Sequence, residues 1–113
     1  MEFFIPRKLK FKAWNMETKL LMRLNSIECV RGELIKRGNI LLQFTGLHDK
    51  QDEEIYDMDL LLKDSRKFIV RWDSGQNAWE VRSFPEGKES WPLARTFASQ
   101  VVRLCSYFES AGE

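Results

Sequence analysis

Between Asp49 and Asp59 the chain carries six carboxylates, Asp49, Asp52, Glu53, Glu54, Asp57 and Asp59, and its only histidine, His48, stands just before them. Carboxylates at that density could gather around Mg²⁺ or Ca²⁺, which take hard oxygen ligands. Asp57 and Asp59, two apart, would project from one side of a strand and begin such a site. The set is incomplete, because no D-x-D-x-D-G loop with a closing Glu is present. His48 alone would have to serve any Ser-His-Asp or Cys-His arrangement, and no nucleophile with an orienting group accompanies it. The six glycines are scattered, so no phosphate-cradling loop can be drawn. The expectation is a non-enzymatic chain without metal or other cofactor. Its carboxylates then occupy an acidic turn and outer strand positions, one or two of them accepting backbone N–H bonds.

Binding is the other chemistry within reach. Lys8, Lys10 and Lys12 alternate with Leu9, Phe11 and Ala13 and lead to Trp14, so a half-buried strand there would hold its lysines toward water. Trp14, Trp72, Trp79 and Trp91, close in sequence to Lys12, Arg71, Arg82 and Arg95, could form an aromatic and basic platform for single-stranded nucleic acid. The rival is that Trp72 and Trp79, flanking one hairpin, pair across strands in the core, and that is preferred for these two. Trp14 and Trp91 are more open. Lys8, Lys10, Lys12 and Trp14 are therefore the candidate binding residues.

The net charge of +1 conceals a segregation along the chain. Residues 1–37 hold nine Lys/Arg against four Asp/Glu, whereas residues 38–64 hold two against seven. Blocks of opposite sign can pair within one chain or between copies, and they argue against a uniformly basic nucleic-acid surface.

The elements that would position these residues are mostly strands. Lys8–Trp14 and Leu20–Leu24 flank the polar turn Asn15–Lys19 and predict a hairpin. Asn25 to Asn39 shows neither a period of two nor one of 3.6, with Gly32 and Gly38 punctuating it. Ile40–Phe44 predicts a third strand, a loop follows from Thr45-Gly46, and a fourth strand begins near Ile55. Lys67–Trp72 and Ala78–Arg82, joined by the polar connection Asp73–Asn77, predict a second hairpin. Leu93, Phe97, Val101, Leu104 and Phe108 recur at helical spacing, yet Val101–Tyr107 is also rich in β-branched and aromatic residues, so helix and strand compete there.

At 113 residues, 43% hydrophobic, the chain suits one domain, residues 1–113, with a single core. Cys29 and Cys105 lie far apart without C-x-x-C spacing and read as half-buried thiols of a reducing cytoplasm. No leader opens the chain and no apolar run approaches membrane-spanning length, so a cytoplasmic protein without membrane contact is expected.

The stretch QFTGLHDKQDEEIYDMDLL resembles the signature of the YopX family of phage and prophage proteins. Its matches are Gln43, Phe44, Thr45, Gly46, Leu47, Asp49, Lys50, Glu54, Ile55, Tyr56 and Asp59, without a gap. KLKFKAWNMETKLL is similar to the family's opening strand, and KFIVRWDSGQNAWEVR to its later hairpin. Two departures stand out: Gln51-Asp52 where the family has Asn-Gly, and Asp57-Met58-Asp59 where it has Glu-Gly-Asp. Each loses a glycine at a position where positive φ is cheapest for glycine, so each turn must be reshaped or carry strain.

The resemblance implies small phage proteins of undefined activity, with the signature residues in a structural role. Together with the strand pattern it leads to a mainly β fold: a small barrel-like antiparallel sheet of SH3-like size with one or two short helices. The expected function is protein interaction or self-assembly, with a homo-oligomer or protein partner and no small-molecule substrate; a nucleic-acid-binding accessory role is the alternative.

Overall fold

The computed structural model describes residues 3–111; the outermost residues of the expected 1–113 domain, 1–2 and 112–113, lie outside the described residues. The fold is mainly β, its antiparallel sheets curled into a half-barrel with two short helices. One sheet has the order β2-β1-β5-β6, from β1 (Phe11–Asn15), β2 (Leu20–Arg23), β5 (Asn39–His48) and β6 (Glu54–Tyr56). The other has the order β10-β9-β8-β7-β11, from β7 (Asp59–Lys63), β8 (Arg66–Asp73), β9 (Ala78–Phe84), β10 (Ser90–Pro92) and β11 (Val102–Ser106). Among the described residues, β3 (Glu28–Val30) and β4 (Glu33–Ile35) pair only with each other.

Both expected hairpins form. β1 and β2 pair from Lys12↔Arg23 to Asn15↔Leu20. Their turn is held by the Asn15 side chain, which accepts the N–H groups of Glu17 and Thr18, each at 2.9 Å. β8 and β9 pair from Lys67↔Phe84 to Asp73↔Ala78.

The unassigned stretch from Asn25 to Asn39 holds the β3–β4 hairpin, turned at Arg31-Gly32 with φ of 53° and 84°. Two positive φ values are what a two-residue hairpin turn needs. All three residues of β3 and two of β4 are exposed. With no core to face, the hairpin has no reason to alternate apolar and polar residues, which is why periodicity could not find it.

β5 runs on to His48 rather than ending before Thr45. Its register against β6 shifts between Phe44↔Tyr56 and His48↔Glu54, with Gly46 at φ 90°. Such a bulge lets a strand bend without losing its partner. The Thr45 hydroxyl fills the gap in the ladder, donating to the Ile55 carbonyl at 2.8 Å and accepting the Leu47 N–H at 3.2 Å.

The single strand expected from Ile55 is two, β6 and β7, broken at Asp57-Met58. Met58 takes φ 67°. Here the chain leaves one sheet for the other: the Asp57 N–H bonds the Gln43 carbonyl of β5, and the Met58 N–H bonds the Val70 carbonyl of β8. Asp52, the other position that lost a glycine, takes φ 66°. Both turns thus keep a left-handed residue and carry the strain, which for an L-residue is about 1–2 kcal/mol and less for Asp.

The core joins Ile55, Leu61, Phe68, Val70, Val81, Ala98 and Val101. Leu60 and Ile69, directly opposite each other, are buried on the other face, so the centre of this sheet is covered on both sides.

The C-terminal competition between helix and strand resolves into segments. α1 (Arg95–Ala98) is one short helix, β11 pairs with β7, and α2 (Tyr107–Ala111) closes the described chain. A continuous helix would have left the outer edge of β7 unpaired, and edge backbone groups need partners. Among the described residues no helix is long and apolar enough to cross a membrane.

Candidate functional site

Two carboxylates of the signature, Asp49 and Asp59, face inward, whereas Asp52 and Glu53 are exposed as expected. Asp49 is 5% exposed and Asp59 1% exposed, which corrects their expected outer positions. Asp49 Oδ1 accepts the N–H groups of Gln51 and Glu53, both at 2.8 Å, and closes its own loop. Its Oδ2 accepts the Arg103 N–H at 2.7 Å, tying that loop to β11. Asp59 Oδ2 accepts the Tyr56 N–H across the Met58 bend and the Arg103 Nε–H, both at 2.8 Å. The reason is geometric: a bend leaves ladder N–H groups without carbonyl partners, and a carboxylate is the side chain that satisfies two or three of them together.

A row of charges continues from this junction across the first sheet. Lys12 Nζ sits 4.3 Å from the Tyr56 ring centroid, and the Tyr56 hydroxyl donates to Glu54 Oε1 at 3.1 Å. Lys10 Nζ closes the row on Glu54 Oε2 at 2.6 Å. Burial, then the Glu54 charge, pushes the Tyr56 hydroxyl up to about 12. Burial and the neighbouring Arg103 charge lower Lys12, while burial raises Asp59 against the opposing bond from Arg103. Burial works most strongly against the Arg103 charge, but the bond to Asp59 and the negative charges of Asp59 and Glu109 together outweigh it, and Arg103 moves up.

The candidate binding residues do not form an open row. Lys12 and Trp14 are both only 9% exposed, Lys10 is engaged by Glu54, and Lys8 alone of the four is exposed without such a partner among the described residues. Trp14 stacks on Phe108 with ring centroids 5.8 Å apart. The expected lysine face toward water is thus corrected at Lys12: the cation–π contact with Tyr56 draws it in, while Leu9, expected inside, is 65% exposed. Trp72 and Trp79 do pair, edge to face at 5.1 Å, but Trp72 stays 43% exposed and only Trp79 packs on the core.

Arg103 is the residue that sequence reasoning missed. A single cation within the apolar run Val101–Cys105 was its one signal, since a charge in such a run needs a buried partner.

Asp57 is the half-buried carboxylate of this stretch without an ion pair among the described residues. It lines a groove of about 380 Å³ with Arg7, Phe11, Gln43, Trp72 and Trp79. Burial raises it from 3.8 to about 6. Among the described residues no three His, Cys, Asp or Glu side chains stand close enough together to hold a metal ion. His48 is exposed, edge-on to Phe44 at 5.6 Å.

Large apolar side chains lie uncovered chiefly in the first third of the chain. Phe3 is 87%, Phe4 61% and Ile5 83% exposed, followed by Leu20 and Met22 on the edge strand β2 and Val30 and Leu34 on the β3–β4 hairpin.

A sequence model of the family described as YopX protein matches residues 7–102. A search of curated proteins returned no match. Among solved structures, the crystal structure of protein EF1440 from Enterococcus faecalis is similar, with a TM-score of 0.64 and 18% sequence identity over 94% of this chain and 97% of that one. At that identity the likeness concerns the fold.

Proposed function

This chain belongs to the YopX family, and on that premise we propose that it is a phage- or prophage-derived, cytoplasmic, non-enzymatic module that assembles with copies of itself. The observation that carries this is the uncovered apolar surface of the first third of the chain. Phe3, Phe4 and Ile5 follow one another in an exposed segment, and β2 offers an outer edge that no strand covers among the described residues. Exposed apolar clusters and open edges mark surfaces that partner chains cover. A second copy fits the charge: the basic block of residues 1–37 in one chain complements the acidic block of residues 38–64 in another. The inward carboxylates support a non-enzymatic role, because Asp49 and Asp59 spend their acceptor capacity on backbone and Arg103.

Light scattering tests the proposal. A particle several times the 13.4 kDa chain mass is expected, shrinking when Phe3 and Phe4 are both changed to Ser. A monomer at every concentration reached would end it.

The alternative, a nucleic-acid accessory protein, has weaker support, since Lys12 and Trp14 are buried. It requires binding to single-stranded DNA or RNA that falls steeply with salt.

A further inference from the structure

Three aromatic residues from three separate elements come together beside the turn between β7 and β8. Phe68 on β8 meets the Trp91 ring of β10 edge to face at 5.6 Å and the Phe97 ring of α1 at 5.3 Å, with interplanar angles of 74° and 88°. The rings border a pocket of about 530 Å³. That lies within the usual ~300–1,000 Å³ of small-molecule sites, and near-perpendicular rings make flat walls for a flat guest.

Two cations stand at the same pocket. The Arg66 guanidinium carbon is 5.3 Å from the Phe68 centroid and 5.7 Å from that of Trp91, and Lys63 Nζ is 5.8 Å from that of Phe97. Arg66 uses one nitrogen on Glu89, at 2.9 Å, and Lys63 has no ion pair among the described residues. Asp64 is the one acidic residue of the lining. A guanidinium presents a fork of donors that matches a carboxylate or phosphate, and most of this fork is unspent. A cationic guest is disfavoured, because Arg66 and Lys63 at the same pocket would repel it.

We propose that this pocket binds a small organic acid: a flat aromatic ring seated among Phe68, Trp91 and Phe97, its carboxylate or phosphate held by Arg66 and Lys63. The site is independent of self-assembly, since it uses none of the uncovered apolar residues of the first third of the chain.

Calorimetric titration of the whole chain with three ligands of one ring and different charge tests it: indole-3-acetate, indole-3-acetamide and tryptamine. Adenosine monophosphate against adenosine repeats the comparison for phosphate and tells the two acid sources apart. The anionic member of at least one series is expected to bind tightest, and Arg66→Gln to weaken it by about tenfold, the loss of one charge-assisted hydrogen bond. Lys63→Gln, another surface change, is expected to weaken it less. The proposal is overturned by no binding of either acid at about 1 mM, by neutral or cationic members binding as tightly, or by affinity unchanged in Arg66→Gln.

Discussion

The sheet junction at Asp49–Asp59 and the chain's first third are both dense in charge, yet they treat it in opposite ways. At the junction the backbone bends at Gly46, Asp52 and Met58, each at positive φ, and the N–H groups freed by those bends recruit Asp49 and Asp59 inward. In the first third, the β1–β2 hairpin turns once and the β3–β4 hairpin stands apart, so Lys8, Lys19 and Arg31 stay exposed. Carboxylates go inside where the backbone has unmet hydrogen bonds, whereas the lysine drawn inward in the first third, Lys12, is held by the Tyr56 ring.

The sharpest way to break this contrast is Asp59→Ala. It leaves the Arg103 charge and the Tyr56 N–H without their partner, and removing one member of a buried pair costs about 3–5 kcal/mol. Urea unfolding should show a loss of that size, and a loss like that of a surface residue would mean the junction is no different from the rest. Asp49→Ala strips an acceptor from three backbone N–H groups and is expected to cost about 2–3 kcal/mol in the same measurement.

Asp57 sharpens the contrast because it is half-buried without an ion pair among the described residues. Its carboxyl is raised from 3.8 to about 6, so the folded chain holds a proton that the unfolded chain has released. Stability therefore falls as pH rises from about 4 to about 6 and is level above that, by at most about 3 kcal/mol for this group and less where solvent screens it. Asp57→Asn should flatten that part of the pH profile of the melting temperature; an unchanged slope would assign it to other groups.

The smallest effect belongs to the outer end of the charge row. Lys10 pairs with Glu54 where its side chain is 42% exposed, so Lys10→Gln should cost no more than about 1 kcal/mol and less in high salt. A larger, salt-insensitive loss would extend the buried behaviour of the junction into β1.

The two hairpins were legible because each has a polar turn beside a strand of period two, and the mainly β class followed. The β3–β4 hairpin was hidden because both its faces meet water, and the C-terminal apolar spacing suited a helix that the open edge of β7 overrode. At the site, the positions that lost a glycine were visible as departures, and both, Asp52 and Met58, keep a left-handed backbone. The inward turn of Asp49 and Asp59 was not visible, because their partner Arg103 lies far along the chain, at sequence separations of 54 and 44. The aromatic pocket was hidden for the same reason, its rings coming from three separate elements.

Arg103 is gripped twice, by its backbone through Asp49 and by its side chain through Asp59. A slip of β11 by one residue would undo both grips at once, so intermediate alignments have little to hold them. The strand behaves as a bolt with two catches, and its amide at Arg103 should exchange with solvent only when the sheet itself comes apart.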